Sequence, residues 1–164
     1  MPSRLHSPKS EKDLGGALGT AAVTCTAPAA CTEVGSDFYN DYHGTAARWD
    51  GTRWAQQATY TPGAAQSAGL TGVSCPSATS CLAVGSFTGP ADLQQPLTER
   101  WQGSAWAALP GPRSRGKDAS LGAVSCRSAD ACLAVGSAGR GRRGAGTSPL
   151  AWRWNGTRWT AVSP

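Results

Sequence analysis

The chain has 164 residues, seven tryptophans, six cysteines and a formal net charge of +5. That is one domain's worth of chain, and no apolar run is long enough to serve as a signal peptide or a membrane span. With only His6 and His43 present, histidine-based nucleophilic catalysis has little material to work with.

Residues 1–19 are polar and bear Pro, Ser and Lys, so a disordered leader is expected there. From residue 20 onward the chain repeats itself. Cys25 and Cys31 recur as Cys75 and Cys81 and again as Cys126 and Cys132, always with five residues between. Val-Gly-Ser follows each second cysteine, at Val34-Gly35-Ser36, Val84-Gly85-Ser86 and Val135-Gly136-Ser137. Each unit then closes with Arg-Trp, a turn and a second Trp: Arg48-Trp49 and Trp54, Arg100-Trp101 and Trp106, Arg153-Trp154 and Trp159. Two spaced motifs in fixed order, three times over, define one repeat domain over 20–164. Its units cover about 20–58, 70–110 and 121–164, joined by Pro/Gly-rich connectors at 61–69 and 111–120.

Inside a unit the period is two. Asp50-Gly51, Gln102-Gly103 and Asn155-Gly156 separate short β-prone runs, and Asp-Gly and Asn-Gly favour two-residue hairpin turns. Such a turn would set Trp101 opposite Ser104, with Trp106 one diagonal step away on the same face. A second hairpin is expected to run up to Cys75, turn through residues 76–80 and return from Cys81. Each unit is then a four-stranded antiparallel meander. Val73, Cys75, Cys81 and Ala83 point one way, while Leu82 and Val84 point the other. A sheet apolar on both faces must be sandwiched, so the expected fold is all-β: three four-stranded antiparallel blades of a partial β-propeller. In the first unit Thr20 stands where Leu70 and Leu121 open the others, which predicts a frayed edge.

Six cysteines in three identical local pairs predict three disulfides, each worth about 2–2.5 kcal/mol on the chain-entropy estimate. Zinc is the competing reading, but the spacing is not Cys-x2-Cys and no histidine lies near the pairs. No metal and no cofactor is expected. Disulfides point to an extracellular or cell-envelope location, although no export signal is visible in this chain. The true start is expected upstream, or the chain is a fragment, or the thiols stay reduced.

The segment between strands two and three differs in every unit. In the first it holds Asp37, Tyr39, Asp41, Tyr42 and His43. Tyrosine faces with Asp and Asn partners supply the stacking platform and fixed polar groups of a sugar site, so these five are the candidate ligand-binding residues. As a plain loop, the same aromatics would only cap the first blade. Glycoside hydrolysis would need a second acid roughly 5–10 Å from Asp37 or Asp41, and no spacing in the chain indicates one, so no catalytic residue is assigned. In the third unit Arg140, Arg142 and Arg143 sit among glycines, as candidate polyanion-binding residues. Residues 110–146 hold seven basic side chains against two acidic ones and so carry the whole net charge. Such a cluster either keeps two Gly/Arg loops in solution or draws an anionic envelope polymer. Nucleic acid is not expected, because no aromatics are interleaved for base stacking. Six of the seven tryptophans are hairpin pairs and read as packing; Trp152 either fills a gap or lies exposed.

The phrase Val-Ser-Cys-x5-Cys-Leu-Ala-Val-Gly, followed by Leu-x-x-Arg-Trp-Asn-Gly-Thr-Arg-Trp, resembles the tandem repeats of exported proteins from high-GC bacteria. Those blades are similar in pattern to Asp-box and kelch propellers and to the propeller of photosystem-assembly factors. The resemblance covers about 20–164 and implies a propeller-type fold without a particular activity. An Asp-box separates its Asp and Gly by one residue, whereas Asp50 and Gly51 are adjacent, and Gln102 and Asn155 replace the Asp.

Three blades do not close a ring and leave the open faces of the first and last units apolar. The chain is therefore expected either to be a piece of a longer propeller or to self-associate to complete one. The reading is a non-catalytic binding or scaffolding module, exported, with a polysaccharide or anionic envelope polymer as partner. A fragment of a carbohydrate-active propeller enzyme is the alternative, and a truncated repeat protein without independent activity is a third.

Overall fold

Val, Thr, Ala and Trp alternating with polar residues suit a pleated, half-buried surface, and twelve strands form among the described residues. The structure, a computed structural model, describes residues 18–37, 43–63, 65–113, 118–139 and 146–162. Sheet A contains β1 (Leu18–Ala27), β2 (Ala30–Asp37), β3 (Gly44–Trp49) and β4 (Trp54–Gln57). Sheet B contains β5 (Ser67–Ser77), β6 (Ser80–Thr88), β7 (Gln94–Trp101) and β8 (Trp106–Ala108). Sheet C contains β9 (Ala119–Ser128), β10 (Ala131–Gly139), β11 (Thr147–Trp154) and β12 (Trp159–Ala161). Each is an antiparallel meander whose spatial order is its chain order. The one helical piece among the described residues is a 3-10 turn at Pro90–Asp92.

The first strand of every sheet starts earlier than the repeat pattern suggests. Leu18 and Gly19, expected in the leader, pair with Asp37 and Ser36. Thr20 pairs with Gly35, so the expected frayed edge is a formed ladder. The other leader residues lie outside the described set. The turn after β5 is tighter than predicted: Ser77 pairs with Ser80, and only residues 78–79 turn.

The tryptophan hairpins also differ from expectation. Trp101 pairs directly with Trp106, as Trp49 does with Trp54 and Trp154 with Trp159. The ring centroids lie 5.7, 5.8 and 5.4 Å apart in sheets A, B and C, in tilted arrangements that suit indole quadrupoles. The reason is loop length. Asp50 Oδ1 accepts from the Thr52 N–H (2.8 Å), the Thr52 hydroxyl (2.7 Å) and the Arg53 N–H (2.9 Å). Asn155 Oδ1 does the same with Thr157 and Arg158. The side chain thus opens a four-residue loop, and the glycine behind it takes positive φ, +96° at Gly51 and +92° at Gly156.

The glycine of each Val-Gly-Ser has a different cause. A Cβ on Gly35, Gly85 or Gly136 would run into the backbone carbonyl of residue 19, 69 or 120 on the paired first strand. The first strands carry an irregularity in register beside these pairs, between Thr20 and Ala22, Leu70 and Gly72, and Leu121 and Ala123. The motif keeps the two backbones close at that bulge.

The sheets stack in the order A, B, C with β1, β5 and β9 side by side, a partial propeller. Sheet B is covered on both faces, as its alternation requires. Val73, Cys81, Ala83, Trp101 and Trp106 pack toward Val34 and Ala46 of sheet A. Leu82 packs with Cys132 and Trp154 of sheet C, and Val84 with Leu121 and Ala134. Half-buried Trp152 fills space against this last group, which settles its two expected placements. All three predicted disulfides form: Cys25–Cys31, Cys75–Cys81 and Cys126–Cys132.

Candidate functional site

Antiparallel meanders stacked in register send like connections to like ends. The cysteine turns and tryptophan loops share one end, where Arg48 Nη2 donates to the Ala78 carbonyl at 2.7 Å and Arg100 Nη1 lies 3.7 Å from Asp130 Oδ1. At the opposite end β2, β6 and β10 finish and β3, β7 and β11 begin, and the segments that connect them differ in sequence. There the Asp118 carboxylate accepts from the Gln94 N–H at 2.9 Å, and its carbonyl accepts from the Gly139 N–H at 2.7 Å. This aspartate clamps sheet B to sheet C at that end.

Of the five candidate ligand residues, two fall within the described set. Asp37 is buried as the last residue of β2, and its N–H donates to the His43 carbonyl at 3.0 Å, which pinches the base of the loop. Tyr39, Asp41 and Tyr42 lie outside the described residues, as do Arg140, Arg142 and Arg143. In sheet B the corresponding loop is closed by the Gly89 N–H donating to the Leu93 carbonyl at 3.0 Å, around Pro90–Asp92.

Sequence reasoning missed Glu99. It is fully buried, 0% exposed, between sheets A and B. Its Oε2 accepts from the Tyr60 N–H at 2.9 Å, while Oε1 has no hydrogen-bond partner among the described residues. Burial pushes its carboxyl up to about 7, against a smaller pull from the Tyr60 N–H. A carboxyl in that range suits a general acid or base, but this one is sealed from solvent and from any substrate. The signal in the sequence was alternation, since Glu99 stands two residues before Trp101 and so shares its face.

The outward face of sheet C carries a groove of ≈ 540 Å³ lined in part by Ala123, Val135, Leu150, Ala151 and Val162. Leu133 and Val135 are 44% and 43% exposed there.

Among the described residues no group of three His, Cys, Asp or Glu side chains is placed to hold a metal ion. Among the same residues no helix is long and apolar enough to cross a membrane. Three disulfides suit an oxidising environment. Comparison of the chain with protein-family models, with curated proteins and with solved structures finds no match.

Proposed function

We propose that this chain is a non-catalytic binding or scaffolding module of propeller type. It works outside the cell or in the cell envelope and takes a carbohydrate or an anionic envelope polymer at its loop end. The observation that carries this reading is the division of labour between the two ends. Disulfides, indole pairs and Asx-type loops recur at one end of the sheets. The other end holds loops of unlike sequence on a backbone clamped by Asp37–His43 and Asp118–Gly139 contacts. A rigid scaffold presenting variable loops is the arrangement binding proteins use. The disulfides support an exported setting.

The test is co-sedimentation of oxidised protein with insoluble polysaccharide and with cell-wall sacculi, with and without 0.5 M salt, taken as roughly three times the physiological ionic strength or more. Retention that survives salt marks sugar stacking on Tyr39 and Tyr42; retention lost in salt marks the Arg140, Arg142 and Arg143 loop. Asp37→Asn and Asp41→Asn should leave retention in place. Turnover of a glycan that these variants abolish while affinity persists would establish an enzyme instead.

A further inference from the structure

Sheets A, B and C use one interface twice. The inward side of sheet A, with Thr32, Val34 and Ala46, receives the Cys81–Ala83–Trp101 side of sheet B. The side of sheet B with Leu82 and Val84 receives the Cys132–Ala134–Trp154 side of sheet C. Polar contacts repeat as well as apolar ones. Arg48 lies over the Trp101 ring, 5.2 Å from its centroid, and donates to the Ala78 carbonyl in the next cysteine turn. Arg100, at the same place in sheet B, pairs with Asp130 in the following cysteine turn.

Two faces are left over, and they are the two halves of this interface. Sheet C presents Leu133, Val135, Ala151 and Val162 at the positions of Leu82, Val84, Thr98 and Leu109, with its groove between them. Arg153 stands exposed where Arg48 and Arg100 reach forward. Sheet A presents Val23, 58% exposed, together with Cys31, Trp49 and Trp54 at the positions of Val73, Cys81, Trp101 and Trp106. One carboxylate per face is compatible with burial in this geometry. Sheet A carries the cross-strand pair Glu33↔Ala47, and sheet B carries the same pair reversed, Ala83↔Glu99, with the glutamate fully buried.

We propose that the outward face of sheet C receives the outward face of sheet A from a second copy of this chain. The contact is made twice, so that two copies close a ring of six sheets. It goes beyond the loop-end binding reading and does not rest on it. Each contact joins unlike faces, and two of them related by a twofold axis leave no open face. Six sheets lie within the range of closed propellers. In the ring Arg153 reaches the turn at residues 28–29 of the second copy and lies over its Trp49, as Arg48 does over Trp101. Val135 enters the position that Val84 fills against sheet C.

The experiment is sedimentation velocity with light scattering on the oxidised full chain over a concentration series. The expected result is a reversible dimer with no higher species. Val135→Glu on sheet C and Val23→Glu on sheet A should each weaken it by about tenfold or more, since either sets an unpaired carboxylate in the contact. Both positions are exposed in the single chain, so circular dichroism and the melting temperature at low concentration should not change. Glu33→Ala, which copies Ala83 and Ala134, should tighten the dimer. Mixing the two Glu variants should restore association in part, because each retains the face the other has lost. A monomer at every concentration overturns the proposal, as does a dimer indifferent to Val135→Glu. Loss with Val135→Glu but not with Val23→Glu means that two C faces pair with each other, and this also overturns it. A ladder of longer species overturns ring closure.

Discussion

Sheets B and C are the same repeat under different cover. Leu82 and Leu133 follow equivalent cysteines, yet Leu82 is 3% exposed and Leu133 is 44%. Val84 is 0% exposed, and Val135, in the same Val-Gly-Ser, is 43%. Nothing in either unit distinguishes these residues. The neighbouring sheet decides, since alternation fixes only which way a side chain points and not what lies beyond it. Burial in a stacked repeat is therefore a property of the interface, and stability is distributed along the stack by nearest neighbours.

The sharpest way to break the comparison is to truncate both leucines. Leu82→Ala empties a site between two sheets and should cost about 3 kcal/mol, as buried Leu→Ala changes do. Leu133→Ala should cost about 0.5 kcal/mol in the single chain. Urea unfolding at low protein concentration reads both. Equal costs would mean that sheet C is covered in solution even when the chain is dilute.

Glu99 marks the A–B interface alone, because Ala47 and Trp152 hold its place in the other sheets. Its carboxyl keeps a proton up to about 7 in the folded chain, against an ordinary value of 4.5. Between those values the folded state holds the extra proton. Stability is therefore full below 4.5, falls as pH rises through about 7 and is flat above. The loss is about 3 kcal/mol across that window. Glu33, also raised by burial, adds in the same direction. Melting curves from pH 4 to pH 9 should show the fall, and Glu99→Gln should remove most of it. A wild-type profile that rises over the same range would rule out a protonated Glu99.

The disulfides sharpen the comparison further. Replacing Cys25 and Cys31, on the open side of sheet A, by alanine should cost about 2 kcal/mol, the loop-closure contribution of so short a ring. The same change at Cys75 and Cys81 should cost somewhat more. Cys81 is buried against sheet A and 3.8 Å from the Thr32 hydroxyl, so packing is lost as well as the cross-link. Thermal unfolding of the two double variants checks the ranking.

How far the chain can be read without coordinates differs from part to part. Paired cysteines with five residues between can hardly meet except across a hairpin, so the disulfides and the meander were legible. The opposed faces of Val73–Ala83 and Leu82–Val84 followed from alternation alone. The tryptophan register did not, because Asp-Gly names a turn but not its length. The bonds that Asp50 Oδ1 accepts from the Thr52 and Arg53 N–H groups make a four-residue loop and bring the indoles directly opposite. Glu99 was hidden by the ordinary preference of glutamate for solvent. The ligand loop was legible only as composition. Of its five candidates the structure anchors Asp37 and His43, and their backbone bond could not be read from residue type.

At the tryptophan loop the comparison reverses, and the outer sheet is the better built. Asn155 Oδ1 accepts three hydrogen bonds in sheet C, as Asp50 does in sheet A, where the Thr52 hydroxyl leads the donors that hold the carboxylate down at about 2. Sheet B has Gln102 there, one methylene longer, and the Gln102 N–H to Ala105 carbonyl bond at 3.2 Å closes the loop without a side-chain acceptor. Gly103 already supplies the positive φ, +87°. Gln102→Asn should therefore complete the missing set, with Ser104 in the place of Thr157, and stabilise the chain by about 0.5–1 kcal/mol. The effect should show as a small rise in melting temperature with the Trp101–Trp106 contact unchanged. A fall would mean that the shorter side chain cannot reach the backbone N–H groups from β7. The Asp50 and Asn155 loops would then depend on their threonine hydroxyls rather than on the Asx side chain alone.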